Sequence, residues 1–321
     1  MVSLNIKSLA VATIVSLTAA TSASAGMYKF SGGPSGGTYQ YFAAGISQYS
    51  NDNKIIKEKI NVSASAGSVQ NVRLVSTKRA DFAIAYAGDV YLSSLGKLSP
   101  KDTRKYKGVK AVAYLYGAPA QLIVKANSNI NSAADLVGKK VGVGKGGSGA
   151  AANAERFFRG MGVWDKMKPE FLGYNNAAAA FSNNQLDAFW VFAGYPTAAV
   201  IQAAQQNKIK LIDVYKDAKE NGVLKQYPFY SLLTVPADTY RGQKSDVTSF
   251  QDSAIWIANE KVPTDVVYNM LKAIYTDKGL EHMITIKKTA KQMSVKGGIK
   301  GTSELELHSG AIKFWKEKGV L

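Results

Sequence analysis

Two stretches of the chain, FAIAYA (Phe82 to Ala87) and the apolar part of DAFWVF (Asp187 to Phe192), are hydrophobic at every consecutive position. A run with no polar alternation predicts a strand covered on both faces, hence a parallel sheet with helices above and below. Upstream of each lies a second matched phrase. SGGPSGGTYQYFAAGI (Ser31 to Ile46) and VGKGGSGAAANAERFF (Val143 to Phe158) both read as strand, glycine loop and amphipathic helix. The later phrases also align with each other, since RADFAIAYAGDV and QLDAFWVFAGYP set Asp81 against Asp187 and Gly88 against Gly194. The pattern predicts two similar α/β lobes.

Between these landmarks the spacing predicts a strand over Tyr28 to Ser31, a helix over Thr38 to Ser50 and a strand over Ile60 to Ser65. Ser68 then reads as the N-cap of a helix carrying Val69, Val72 and Leu74. AVAYLYGAPAQLIV (Ala111 to Val124), interrupted by Gly117 and Pro119, suits a strand that crosses from one lobe to the other. A short helix, a turn at Gly138 and a strand over Lys140 to Gly144 open the second lobe. It continues through a helix after Gly149, a strand over Phe171 to Tyr174 and a helix over Ala177 to Asn183. A second crossing is expected at YSLLTVPA (Tyr230 to Ala237), with Asp252 to Ala258 returning to the first lobe and helices over Pro263 to Thr276 and His308 to Lys318 closing it. Residues 26–117 and 232–321 then form lobe I, residues 118–231 form lobe II, and two crossings make a hinge. Ligands of open parallel sheets sit at the carboxyl ends of the strands, where both glycine loops fall.

Composition narrows the functional classes. A single lysine (Lys7), an apolar run from Leu9 to Ala20 and the site Ala23-Ser24-Ala25 predict that residues 1–25 are a cleaved signal peptide. The chain has no cysteine, which excludes disulfides, thiolate metal sites and a cysteine nucleophile. Its two histidines, His282 and His308, lack a metal-ligand spacing and supply a Ser-His triad poorly, and no G-x-S-x-G elbow is present. No metal, no cofactor and no enzymatic activity are therefore expected. The net charge of +17 is spread out, with denser stretches at Lys101 to Lys110 and Ile286 to Lys300. Without interleaved aromatics or a recognition motif these read as solvated faces, and nucleic acid is not an expected partner.

The candidate chemistry lies in the glycine loops. A helix N-terminus offers unpaired N–H groups and partial positive charge, and two such ends facing across a cleft would grip an anion or polar ligand from both sides. The first loop contributes Ser35, Gly36, Gly37, Thr38 and Tyr39; the second contributes Gly147, Ser148 and Gly149. Ser65, Gly67 and Ser68 form a third helix start. Tyr86 and Asp89 in one lobe, with Phe192, Gly194, Tyr195 and Pro196 in the other, follow the buried strands and are expected to rim the cleft. Asp89 is read as an acceptor for a ligand amine or hydroxyl, or as a helix cap. Phe189 and Trp190 are read as core.

Taken in order, GGPSGGTYQYFAAGI, SAGSVQNVRLV, ADFAIAYAGDVY, DLVGKKVGVGKGGSGA, QLDAFWVFAGYPT, the stretch Tyr227 to Tyr230 and LHSGAIKFWKEKG resemble the TAXI branch of the receptors that feed tripartite ATP-independent periplasmic (TRAP) transporters. The resemblance covers nearly the whole chain after the leader. It implies a two-lobed periplasmic binding protein, type II-like, with two hinge-linked α/β lobes and the ligand cleft between them. Such a receptor is a periplasmic monomer that captures a small organic anion or amino acid and delivers it to membrane permease subunits driven by an ion gradient. Carried over by position, the ligand contacts come from Gly36, Gly37, Thr38, Tyr39, Gly67, Ser68, Asp89, Ser148, Gly149 and the Gly194-Tyr195-Pro196 rim. The chain departs from its relatives at Ala87, where Gln is common, and at Ala150, where Thr is common. Two readings from other classes are a receptor that presents its ligand to a membrane sensor and an exported hydrolase, which alone predicts turnover.

Overall fold

The computed structural model describes residues 26–34, 37–99 and 102–321; residues 1–25, where a signal peptide is expected, and the loop positions Ser35 and Gly36 lie outside them. In the first lobe, β1 (Met27–Ser31), α1 (Thr38–Asp52), β2 (Lys59–Ser63), α2 (Ser68–Ser76), β3 (Phe82–Tyr86) and α3 (Ala87–Ser94) alternate. The three strands pair in parallel, in the order β2-β1-β3. β4 (Val109–Lys125) leads away from this lobe. The second lobe repeats the first with β5 (Lys140–Gly142), α4 (Gly149–Gly160), β6 (Lys168–Glu170), α5 (Tyr174–Ser182) and β7 (Ala188–Phe192). Its parallel strands run β6-β5-β7, the same order. β8 (Ile209–Ile212) joins β4, and β9 (Ser231–Val235) forms a hairpin with β10 (Val247–Asn259).

Two long antiparallel strands bind the halves together. β4 pairs with β10 from Val109 to Pro119, then exchanges partners and pairs with β7 from Ala120 to Val124. Pro119 sits at the exchange, where its missing N–H spares the ladder a donor. β10 closes the first lobe by pairing with β3 from Ala254 to Ala258. The expected crossing at Tyr230 to Ala237 is therefore divided: β9 pairs only with β10, and β10 itself makes the return.

Every residue of β3 and of β7 is buried, as strands sandwiched between helices require. Phe189 and Trp190 are fully buried, and Trp190 stacks on Phe157 with ring centroids 5.1 Å apart. The paired aspartates perform one task in both lobes. Asp81 accepts a hydrogen bond from the Lys29 N–H at 2.8 Å, and Asp187 accepts one from the Lys140 N–H at 2.8 Å. Each pins the start of one parallel strand to its neighbour. No helix among the described residues is long and apolar enough to cross a membrane.

Two local expectations differ. Ser68 is the first residue of α2 and not its cap, because its hydroxyl accepts the Tyr86 N–H at 2.8 Å and so ties the helix to β3. The strand expected over Phe171 to Tyr174 ends earlier, at Glu170, and Tyr174 begins α5.

Candidate functional site

Four helices of at least nine residues start around one cavity, two from each lobe. Their N-cap residues, Gly37 for α1, Gly67 for α2, Ser148 for α4 and Gly173 for α5, all line it. The first N–H groups of a helix have no intrahelical acceptor, and they carry the positive end of its dipole. Three of these caps are glycines with no side chain to consume those donors; only Ser148 caps its own helix, accepting the Ala151 N–H at 3.1 Å. Gly67 also adopts φ 108°, a conformation that suits glycine.

The loops are held from behind by Asn71, which is fully buried on α2. Its amide donates to the carbonyls of Gly32 at 2.6 Å and Ile84 at 2.8 Å, and its oxygen accepts from the Ser31 hydroxyl at 2.8 Å.

The cavity, about 40 Å³ in volume, is walled by Tyr39, Tyr86, Tyr116, Tyr174 and Phe192. Tyr39 and Tyr86 have ring centroids 5.2 Å apart, and Tyr86 meets Phe192 at 4.8 Å. Tyr86 reaches across the lobes to donate to the Phe192 carbonyl at 2.5 Å, and Tyr174 donates to the same oxygen at 2.8 Å. The hydroxyls of Tyr39 and Tyr116 are buried, beside the hydroxyls of Tyr86 and Thr38 respectively, and make no hydrogen bond of normal geometry with the described residues. Burial raises both hydroxyls well above the ordinary tyrosine range, so they stay protonated donors. Lys145 is the one charged residue among the described lining, and it is exposed. The lobes are in close contact: a methyl group added to Gly149 would lie 2.6 Å from Ser68 Cβ and 2.8 Å from the Tyr86 ring.

The residues expected from the sequence divide into two groups. Gly37, Thr38, Tyr39, Gly67, Ser68, Tyr86, Ser148, Gly149 and Phe192 are brought together around the cavity. Ser65, Asp89, Gly147, Gly194, Tyr195 and Pro196 are not among its lining. Ser65 is occupied locally, donating to the Gly32 carbonyl at 3.2 Å and accepting the Gly67 N–H at 2.9 Å. Gly147 lies in an exposed turn. The Gly194-Tyr195-Pro196 segment packs toward the first lobe, where Thr289 donates to the Tyr195 carbonyl at 3.4 Å and Lys287 to the Pro196 carbonyl at 3.3 Å.

Asp89 enters a different structure. It is fully buried and ion-paired with Arg156 of α4, across the lobes. Arg156 also donates to the Tyr230 hydroxyl at 3.2 Å, which accepts from Asn153 at 2.7 Å; Asn153 in turn accepts from Trp190 at 3.1 Å. Asp252 stands beside this network, accepting the Gly88 N–H at 3.2 Å. Burial, with the Asp89 carboxylate adding to it, pushes its carboxyl up to about 8. The network joins α3, α4, β7 and β10 behind the cavity.

Sequence reasoning missed Pro34, Ala66, Tyr116, Lys145, Gly173, Tyr174 and Ala193, and named Ala150 only as a departure from its relatives. Most are chain neighbours of residues it named. Gly173-Tyr174 was legible as one more glycine before an amphipathic segment, whereas Tyr116 sits mid-strand and carries no local signal.

The sequence matches the NMT1-like family over residues 30–319. Among solved structures, a Bordetella bronchiseptica RB50 protein is 15% identical with a TM-score of 0.52, covering 91% of this chain and 82% of its own. An Archaeoglobus fulgidus protein is 11% identical with a TM-score of 0.50, covering 92% and 98%. The periplasmic aliphatic sulphonate binding protein SsuA from Escherichia coli is 14% identical with a TM-score of 0.46, covering 91% and 83%. At such identities the likeness to the Bordetella and Archaeoglobus proteins concerns the fold alone.

Proposed function

We propose, for a chain that belongs to the NMT1-like family, that it is a periplasmic solute-binding receptor. It takes a small organic anion between its lobes and delivers it to the membrane permease subunits of a TRAP-type transporter. Residues 26–117 with 232–321 act as one jaw and 118–231 as the other, and residues 1–25 direct export. The observation that carries this reading is the convergence of four helix N-termini, two per lobe, on one aromatic-walled cavity. Donors from both jaws reward only the closed form, so a ligand that bridges them drives closure by its differential affinity.

The same geometry supports binding without chemistry. The tyrosine hydroxyls are held protonated by burial, and His308 is engaged structurally, its ring bonding to the Val262 carbonyl at 3.0 Å and accepting the Gly310 N–H at 3.2 Å. The TAXI-like phrases of the sequence favour a permease driven by an ion gradient. Thermal-shift screening against carboxylates, sulfonates and amino acids tests the receptor, because selective binding raises the unfolding temperature by mass action. Uptake into vesicles carrying the permease tests the partner: dependence on an imposed ion gradient is expected, and dependence on ATP would overturn it.

A further inference from the structure

We infer that the ligand is a short 2-oxo or 2-hydroxy monocarboxylate and not an amino acid; the inference rests on the receptor reading above. The polar groups offered to the cavity are N–H donors and hydroxyls, with no carboxylate among the described lining. Four helix starts present N–H groups, and Tyr39 and Tyr116 hold buried hydroxyls without a hydrogen-bond partner among the described residues. Buried hydroxyls of this kind are ordinarily paired, so the two phenols call for polar oxygens on the guest. A carboxylate satisfies the helix ends, and an oxygen on the adjacent carbon satisfies a phenol.

An ammonium group finds the opposite. No carboxylate stands among the described residues lining the cavity, and the positive helix ends and Lys145 disfavour a second positive charge. Asp89, the acidic residue the sequence offered for an amine, lies outside the described lining and pairs with Arg156 through one oxygen. The Phe192 carbonyl, an acceptor on the wall, is taken by Tyr86 and Tyr174. An amino acid would therefore exchange the hydration of its ammonium for neutral hydroxyl acceptors alone, with no counter-charge. Size adds a limit. The space between the described lining residues measures about 40 Å³, where a single water needs roughly 10–15 Å³, which favours short acids.

Titration calorimetry on the mature protein with pyruvate, lactate, propionate and alanine isolates the features in one skeleton. Pyruvate or lactate is expected to bind at least about 100-fold more tightly than alanine, because the ammonium goes unpaired. Tyr39→Phe or Tyr116→Phe should weaken the oxygenated acid about tenfold and leave propionate unchanged, the loss of one hydrogen bond. Alanine binding as tightly as lactate, with the binding abolished by Gly149→Val, would overturn this inference and leave the receptor intact. If thermal-shift screening finds larger acids or amino acids but none of these four binds, the inference likewise fails alone. Absence of any ligand in both experiments would remove both readings.

Discussion

At the scale of single residues, Gly149 decides whether the jaws can meet. Its Cα sits so close to Ser68 and Tyr86 that any side chain there separates the lobes. Gly149→Val is expected to abolish the ligand-induced rise in unfolding temperature while the ligand-free protein keeps a cooperative transition; an undiminished rise would show that closure is not needed. Asp252 gives a second expectation. A carboxyl of this type ordinarily ionises near 3.8, and in the folded protein Asp252 holds its proton up to about 8. Between those values the native state binds a proton that the unfolded chain has released, so the contribution of Asp252 to stability is full below about pH 4 and is lost as pH rises toward 8. Urea denaturation across this range should record that decline, and Asp252→Asn should flatten it. Residue by residue, the legible positions were those with local signals. Thr38, Ser68 and Ser148 stand beside glycines at helix starts, whereas Asp89 was read as a ligand contact because its partner, Arg156, is remote in sequence and belongs to the other lobe.

At the scale of elements, β3 and β7 were readable because burial on both faces leaves an unbroken apolar run, and their boundaries match the sequence expectation to within a residue. The helix starts of α1, α2 and α4 were readable from glycine followed by an amphipathic segment. α5 was read from Ala177, three residues late, because Phe171, Leu172 and Tyr174 look like a strand while the edge strand β6 is only three residues long. Ser68 was misassigned as a cap because cap and anchor use the same hydroxyl, and only the fold shows that Tyr86 claims it. Asn71 lies in an ordinary helical phrase, yet it joins three segments at the base of the site. Asn71→Ala removes the side-chain donor to the Ile84 carbonyl and the acceptor of the Ser31 hydroxyl and leaves the Gly32 carbonyl with Ser65 alone, each lost partner worth about 1–3 kcal/mol. The expected result is a lower urea midpoint together with weaker ligand binding, since the α1 and α2 starts lose their common anchor. A change in neither would mean that the loops hold themselves.

At the scale of the whole molecule, the duplicated phrase announced two lobes, and the parallel orders β2-β1-β3 and β6-β5-β7 repeat accordingly. Less legible was the way they join. Gly117 and Pro119 marked a break in β4, but the exchange of partners from β10 to β7 is a property of the assembled sheet. The buried Asp89–Arg156 pair, with Tyr230, Asn153 and Trp190, holds the lobes behind the cavity, while the helix starts face each other within it. Removing one partner of such a pair leaves an uncompensated buried charge, a loss of about 3–5 kcal/mol. Arg156→Met should therefore lower the urea midpoint of the ligand-free protein sharply; a stable variant would mean that the pair forms only in the closed state. The most direct measurement of the clamp itself is a crystal structure with a bound ligand from the screen. The expected electron density places the anion's oxygens within hydrogen-bond distance of the first N–H groups of at least one helix from each lobe. A ligand seated on one lobe alone, or outside the space between Gly37, Gly67, Ser148 and Gly173, would contradict it.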